Sequence, residues 1–343
     1  MIRLRSFAAS AGQVGVRGLV VAAIVAAFCV TDAGAYLKLG TNLGTRLVTL
    51  KFNSFPIRYF VTNRDVPGVT AQQAQQAIDR AFATWAGVPN VSLSSQFAGF
   101  TAATPSTGDG INVLGFLNRA DLDRVLGSTS FTVDTTTGEI LESDIFFNST
   151  FDWSVASGGE PGRQDFESIA LHEIGHLLGL GHSMIGETEL IGGGRRVLSA
   201  EAVMFPIAFA AGTLNRAPRA DDIAGMSDIY GNDTFRRATG SITGRVTKNG
   251  TGVLGAHIIA FNPATGKLIA GFSLSNDGTF VVAGLEPGPQ VLRAEPLDDA
   301  DVSSFFDETM NVDTSFLVKF YEKVVVVPRG GGTRNIEIKV QPK

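Results

Sequence analysis

The chain has 343 residues, which is enough for two domains that each bury a core of their own. Its 28 basic and 33 acidic side chains give a formal net charge of −5. The basic residues are not clustered, which excludes the electrostatic footprint of a protein that binds nucleic acid or an anionic membrane. The one cysteine, Cys29, lies in an N-terminal segment that we expect to be removed, so the mature chain has neither disulfides nor thiol chemistry.

Residues 1–35 have the layout of a secretory signal peptide. Three arginines precede an apolar run over residues 18–30, and residues 33–35 form a small-x-small cleavage site. A membrane span needs about 20 apolar residues, and this run has thirteen. We therefore expect no stable membrane anchor, although retention of the segment as an anchor is the alternative. The prediction is a secreted protein, either extracellular or periplasmic.

Residues 36–237 combine predicted helices and strands, which is typical of an α+β domain. A capping box and an apolar repeat predict a helix over residues 70–85. Asp165 is the expected N-cap of a second helix over residues 166–178, and a third helix is predicted over residues 219–229. Strands are predicted over residues 56–61, 91–97, 111–117, 129–133 and 140–147.

Residues 238–343 consist of short β-rich runs separated by turn dipeptides, such as Asn249-Gly250. This pattern predicts an all-β sandwich domain. The glycine cluster at residues 330–332 is expected to be a loop before the last strand. The predicted runs are residues 241–246, 257–261, 279–283, 291–295, 324–327 and 336–340.

The most informative motif is the run HEIGHLLGLGH at residues 172–182, which holds three of the four histidines in the chain. On a helix, His172 and His176 are four positions apart and project from one face, so both imidazoles can reach a single metal ion. Glu173 lies beside them, where its carboxylate can hydrogen-bond a water in the fourth ligand position of zinc and take its proton. The pattern predicts a hydrolytic zinc site.

Two further residues complete the motif. Gly179 can enter the left-handed region of backbone space, so we expect it to end the helix and to turn the chain. His182 then approaches the same ion as the third ligand. The alternative is a helix with two packed histidines, but it leaves Glu173, Gly179 and His182 unexplained together.

Over roughly residues 55–231 the chain resembles the metzincin metallopeptidases, and within them the matrixins. Residues 202–206 (AVMFP) are similar to the methionine turn that lies under the metal in that clan. Ser183, directly after the third histidine, is the matrixin choice among metzincin subfamilies. Residues 144–153 resemble the strand and tryptophan before the zinc helix, and residues 221–231 resemble the closing helix.

The resemblance implies an α+β domain with a twisted mixed sheet and three main helices, and hydrolysis of peptide bonds by a single zinc ion. It implies that Glu173 is the general base and that Met204 forms an apolar floor. A protein or peptide substrate would lie extended against an edge strand near residues 127–132. Pro206 and the two residues after it would form the wall of the primed-side pocket. The implied zinc ligands are His172, His176 and His182.

Departures from the family pattern limit what is carried over. Vertebrate-type matrixins hold a second, structural zinc, but one of its histidine positions is Phe146 here, and His257 is expected to be packed in the second domain. We therefore predict one zinc. Asn148 replaces an acidic calcium ligand, which leaves Ca²⁺ open, and Asp109 is expected to serve a turn. The mature chain has no cysteine to cover the zinc as a latch.

The second domain resembles the carboxypeptidase regulatory-like, transthyretin-like sandwiches through residues 240–246, 276–280 and 284–288. These signatures specify a fold and leave its role open between a spacer and the binding of a polymer or surface. The leading hypothesis is a secreted zinc endopeptidase. The alternative is a non-catalytic adhesion or surface-binding protein that keeps the metal for structure. It is motivated by the added sandwich and by a long rim segment around residues 192–196, expected to be a hairpin or a mobile loop.

Overall fold

The computed structural model describes residues 38–43, 46–192, 194–307 and 309–343. The predicted signal peptide and Cys29 lie outside these residues. None of the described helices has the length and apolar character that a membrane span requires.

The N-terminal part of the chain is a mixture of helices and strands, as the sequence predicts. The three predicted helices form with bounds close to the expected ones. A further short helix of six residues was not predicted, because it buries none of its side chains and so has no apolar repeat. The elements in chain order are β1 (Gly40–Leu43), β2 (Arg46–Thr49), β3 (Ile57–Thr62), α1 (Ala71–Ala86), β4 (Ser95–Thr101), β5 (Asn112–Leu117), β6 (Gly127–Val133), β7 (Ile140–Asn148), β8 (Trp153–Ser154), β9 (Gln164–Asp165), α2 (Phe166–Leu177), β10 (Gly186–Ile191), β11 (Gly194–Ala200), α3 (Ala220–Tyr230) and α4 (Asp233–Ala238).

A five-stranded sheet in the order β4-β3-β5-β7-β6 supports this part of the fold. The first four strands in that order pair in parallel, and β6 pairs antiparallel to β7 at the edge, so the sheet is mixed. The strand expected over residues 91–97 begins instead at Ser95. Val91 forms a bridge with Gly231 at the end of α3, so tertiary pairing takes the first half of the predicted strand away from the sheet.

Helices α1 and α2 pack against the sheet in one shared hydrophobic core. The capping box at Thr70 and Gln73 starts α1, and its apolar residues from Ala74 to Trp85 are buried, as the repeat predicts. Trp85 donates a hydrogen bond from Nε1 to the carbonyl of Leu171 in α2 at 2.9 Å. Burial of the α1 face therefore also fixes α2, the helix that carries the histidine motif.

The C-terminal part contains two sheets that share one hydrophobic core. One has the order β13-β12-β16 with β20 parallel to β12, and the other has the order β15-β14-β17-β18 with β19 also on β17. Strand β15 was not predicted, because its short apolar run has no alternation and is fixed by pairing with β14. These strands are β12 (Gly240–Lys248), β13 (Thr251–Gly252), β14 (His257–Phe261), β15 (Leu268–Phe272), β16 (Thr279–Leu285), β17 (Gly288–Glu295), β18 (Lys319–Phe320), β19 (Val325–Val327) and β20 (Gly332–Val340).

Helix α3 joins the two parts of the chain. Ala224 of α3 belongs to the core of the C-terminal part. The buried carboxylate of Asp221 accepts a hydrogen bond from the backbone N–H of Ala270 in β15 at 2.9 Å. The two parts are therefore packed against each other through buried apolar and polar contacts.

Candidate metal centre

A capped N-terminus and complete burial hold helix α2 in place. Asp165 caps its N-terminus by accepting a hydrogen bond from the backbone N–H of Ser168 at 2.9 Å, as predicted. The same carboxylate accepts a hydrogen bond from Arg216 Nε at 2.8 Å. Every residue from Phe166 to Leu177 is buried. The helix is thus a rigid support for the side chains it presents.

The three histidines of the motif come together at one point. Their potential ligand atoms all lie within 4.8 Å of one another, and the Nε2 atoms of His176 and His182 are 3.1 Å apart. Among the described residues, no other His, Cys, Asp or Glu set of three or more meets that distance. On the far side of each ring, Nδ1 contacts a backbone carbonyl: His172 with Val203 at 2.8 Å, His176 with Leu180 at 2.8 Å, and His182 with Ser304 at 2.7 Å.

These carbonyl contacts fix the tautomer of each imidazole. A carbonyl oxygen only accepts hydrogen bonds, so each Nδ1 must carry the proton and each Nε2 must present its lone pair. The Nε2 atom of His172 and the Oε1 atom of Glu173 are buried and have no hydrogen-bond partner. Buried polar atoms without partners are rare in native proteins. Three neutral imidazoles whose lone pairs converge are the donor set of a zinc ion, so the residues fit that metal.

Burial sets the protonation of the site in the absence of metal. It lowers the pKa of His172 to about 3 and that of His182 to about 4, and it lowers the pKa of His176 well below its ordinary value. All three histidines are therefore neutral at physiological pH, which is the form that binds metal. Burial raises the pKa of Glu173 to about 8, while a hydrogen bond from Thr129 acts in the opposite direction.

Gly179 makes the turn that brings the third histidine back. Helix α2 ends at Leu177, and Gly179 has a φ of +97°, in the region that favours glycine. A Cβ atom there would overlap the carbonyl oxygen of Leu50. The turn also places the carbonyl of Leu180 against His176 Nδ1, so one glycine orients two of the three rings.

Met204 lies directly under the zinc helix. A Cβ atom at Gly175 would overlap Met204 Sδ, which explains why the motif has a glycine at this position. The carboxylate of Asp222 accepts hydrogen bonds from the backbone N–H groups of Val203 at 2.8 Å and Met204 at 3.1 Å. Met204 in turn accepts a hydrogen bond at its carbonyl from Ser183 N–H at 2.9 Å. The methionine turn is thereby tied to both α3 and the residue after His182.

Three residues that support the site were not singled out from the sequence. Thr129 on β6 contacts Glu173, Asp222 on α3 holds the methionine turn, and Ser304 contacts His182. The alternation Thr129-Phe131-Val133 could have indicated that Thr129 faces inward. No local signal points to Ser304, which is separated from its histidine by 122 positions.

The positions that differ from the family pattern have structural partners. The guanidinium carbon of Arg119 lies 5.2 Å from the centroid of the Phe146 ring. Phe146 therefore makes a cation–π contact at a position where the family has a zinc ligand. His257 is packed 5.0 Å from the Phe272 ring, as predicted, and its Nδ1 is 2.9 Å from Glu295.

Asn148 and Asp109 also have structural partners. Asn148 donates hydrogen bonds from Nδ2 to three loop carbonyls, those of Arg119, Leu122 and Val125. Asp109 accepts a hydrogen bond from the N–H of Ile111 at 3.1 Å, the local contact expected in a turn. Both side chains thus stabilise loops within the fold.

A small cavity of about 30 Å³ adjoins His172 on the side of the methionine turn. Its walls include Phe205, Ile207 and Ala208, so two of the three residues expected at a primed-side pocket line it. Pro206 is buried between Phe205 and Ile207 and does not line the cavity. The expected rim segment forms an antiparallel hairpin of β10 and β11.

A mixed sheet, a buried helix with a three-histidine motif and a methionine turn together define the α+β fold class of the zinc-dependent metallopeptidases. The family model described as matrixin matches residues 51–231, just over half of the chain. The chain belongs to the matrixin family.

Two curated relatives are plant enzymes. The metalloendoproteinases 5-MMP and 1-MMP of Arabidopsis thaliana are 29% and 28% identical to this chain over 223 and 213 residues. Each match covers 59% of this chain and 54% or 50% of the relative, so the chain spans about half the length of the curated relatives it matches. A solved structure of the Bacillus anthracis TIE protein is 15% identical over 31% of this chain and 17% of its own, with a TM-score of 0.20, too low for an argument about the fold.

Proposed function

We propose that this chain is a secreted zinc endopeptidase that cleaves peptide bonds in protein or peptide substrates. The observations that carry the proposal are that the ligand atoms of three buried histidines lie within 4.8 Å of one another and that the neighbouring residue, Glu173, has a buried Oε1 atom without a hydrogen-bond partner. Membership of the matrixin family and the two metalloendoproteinase relatives support the same reaction class.

Zinc, when bound by the three histidines, supplies a Lewis acid that polarises the scissile carbonyl and lowers the pKa of a coordinated water. Glu173 would provide the base for this chemistry, because a bound cation would lower the raised pKa of its carboxyl and because Oε1 has no partner within the protein. Thr129 donates a hydrogen bond to the other carboxylate oxygen, Oε2, at 2.7 Å and so restricts rotation of the group. Glu173 can then pass the proton to the leaving amine.

The edge strand β6 supports an extended mode of substrate binding. It pairs with β7 on one side, and within the described part of the chain no further strand pairs with its other side. Backbone groups at such an edge can add a peptide as an antiparallel strand, which tolerates many sequences because the hydrogen bonds involve the main chain. We propose that the substrate lies along β6, with its primed side towards the wall that Ile207 and Ala208 form beside His172.

The C-terminal part fits the sandwich module that the sequence predicts, because its two sheets enclose a shared core. We propose domain limits of residues 36–237 and 238–343, with export directed by residues 1–35. The module contacts the catalytic part through α3, which favours a fixed arrangement of the two domains over a flexible tether.

The test is a comparison of Glu173→Gln with the wild type. Both proteins are assayed for zinc per chain by metal analysis and for cleavage of an unfolded protein. We expect one zinc in each and a loss of activity of about 10²- to 10⁴-fold in the variant. Glu322→Gln is a matched control, since this side chain is 79% exposed in the C-terminal part. Equal activity of the wild type and Glu173→Gln would rule out peptidase chemistry at this site.

A further inference from the structure

The C-terminal part reaches the metal centre through residues 297–306, which we call the docking segment. Ser304 lies in a short 3-10 helix of this segment, Val302–Ser304, and its carbonyl oxygen is 2.7 Å from His182 Nδ1. The corresponding acceptors for His172 and His176 come from Val203 and Leu180, within the matrixin domain itself. The third histidine alone depends on the appended domain for its partner.

This contact determines how His182 presents itself to a metal. Because the carbonyl accepts a hydrogen bond from the Nδ1–H group, the lone pair is held on Nε2, on the side of the other two histidines. Without the acceptor, a neutral imidazole would divide between two tautomers and its ring would be freer to rotate. Hydrogen-bond partners of this kind typically change metal affinity by about 10- to 100-fold when they are removed.

The docking segment is anchored by apolar contacts. Phe305 and Phe306 are 2% and 3% exposed and belong to a buried cluster with Met184 and Phe205 of the matrixin domain. The Phe305 ring centroid lies 6.0 Å from that of His182. The two phenylalanines therefore hold the backbone of Ser304 beside the histidine.

A second anchor is polar and lies on the rim hairpin. Asp299 of the segment accepts hydrogen bonds from the backbone N–H of Thr188 at 2.7 Å and, at its own carbonyl, from the Thr188 hydroxyl at 2.8 Å. Thr188 belongs to β10, in the interval between His182 and Met204. The rim hairpin thus has a structural role, since it holds the segment that orients the third histidine.

We infer that the C-terminal domain is part of the catalytic unit, because the Ser304 carbonyl positions His182 as the third zinc ligand. This inference rests on the proposed zinc site and goes beyond it. It assigns a positioning role to a domain for which the sequence leaves two roles open, a spacer or a surface-binding module. The zinc affinity of the full chain depends on the docking segment, and zinc binding in turn favours the docked arrangement.

The experiment compares the wild type with the double variant Phe305→Ala/Phe306→Ala in the full chain. Phe280→Ala is the matched control, because Phe280 is fully buried in the core of the same domain and lies outside the docking segment and its cluster. The zinc dissociation constant is measured by competition with a chromogenic chelator. The tautomer of His182 in the metal-free protein is read from its ring nitrogen chemical shifts by NMR.

We expect the double variant to bind zinc about 10- to 100-fold more weakly and to lose the single Nδ1-protonated form of His182, whereas Phe280→Ala keeps both properties. If the double variant does not fold, Asp299→Ala removes the side-chain part of the polar anchor, leaves the bond to the backbone carbonyl in place, and is expected to change both readouts in the same direction. Unchanged zinc affinity and an unchanged tautomer in the folded segment variants would overturn the inference. A wild type that binds zinc tightly without cleaving peptides would instead refute the proposed peptidase activity.

Discussion

Thr129 Oγ1 lies 2.7 Å from Glu173 Oε2 and 3.0 Å from the Glu173 carbonyl oxygen, so its single proton lies between the carboxylate and the backbone of the proposed base, with the shorter contact at the carboxylate. Both residues are fully buried. Because Oε2 has this donor, the other oxygen, Oε1, is the one left for a reacting water. The sheet edge that we propose as the substrate-binding strand therefore also orients the carboxylate that we propose as the base.

Thr129→Val tests this relationship with little change in side-chain volume. The variant leaves Glu173 Oε2 buried without a donor, which costs about 1–3 kcal/mol for such a group. We expect kcat to fall by about 10-fold or more, while the zinc content stays at that of the wild type. Thr129→Ser keeps the hydroxyl and should retain most of the activity. Equal kcat values for the valine and serine variants would show that the hydroxyl does not act on Glu173.

Gly179→Ala tests the turn between the second and third histidines. The φ of +97° and the overlap of a Cβ atom with Leu50 O both oppose alanine at this position. We expect the free energy of unfolding of the metal-free protein to fall by more than about 1 kcal/mol, with weaker zinc binding. Urea denaturation and zinc competition measure the two effects.

The matched control for this prediction is Gly162→Ala. Gly162 also has a positive φ, of +83°, but a Cβ atom there meets nothing within 4 Å. Alanine at position 162 therefore has the backbone strain of a positive φ without the steric overlap. If Gly179→Ala destabilised the protein no more than Gly162→Ala and left zinc affinity intact, the turn would not have the role that its geometry indicates.

Asp221 gives the stability of the protein a dependence on pH. Burial raises the pKa of its carboxyl to about 7 in the folded chain, from an ordinary value of 3.8. The folded state therefore keeps this proton over a range in which the unfolded state has lost it. The stabilisation from this group is complete below the unfolded pKa and is lost as the pH rises through about 7.

Asp221→Asn keeps an oxygen that can accept the Ala270 N–H but removes the titration. Between about pH 5 and pH 8, we expect the wild type to lose about 1–3 kcal/mol more unfolding free energy than the variant does. Urea denaturation in the presence of a chelator measures this without a contribution from zinc. Parallel stability curves for the two proteins would contradict the assignment.

The parts of the site that the sequence predicts are those with local signals. His172, Glu173 and His176 occupy fixed positions on one helix, and Gly179 and His182 follow at a spacing that requires a turn. Thr129 and Ser304 reach the site only through tertiary packing, across 44 and 122 positions of the chain. Thr129 contributes a common hydroxyl and Ser304 a backbone carbonyl, neither of which carries a metal-binding pattern, so the sequence alone could not place them at the site.

The same distinction applies to the fold. Helix α1 follows from its capping box and apolar repeat, both of which are properties of neighbouring residues. The late start of β4 depends on pairing between Val91 and Gly231, which is a long-range contact. Strand β15 likewise exists because β14 offers it a partner. The type of an element is therefore predictable where the apolar periodicity is strong. Its boundaries are not predictable where pairing with a distant strand decides them.

We propose that His172, His176 and His182 hold one zinc ion and that this ion is required for hydrolysis of peptide bonds. The most direct test is to titrate the metal-free protein with zinc and to record the initial rate of peptide cleavage at each addition. We predict that the rate rises linearly from the baseline and reaches a plateau at one zinc per chain. A metal-free protein that cleaves as fast as the fully titrated one, or a rate that stays at the baseline throughout, would contradict the claim.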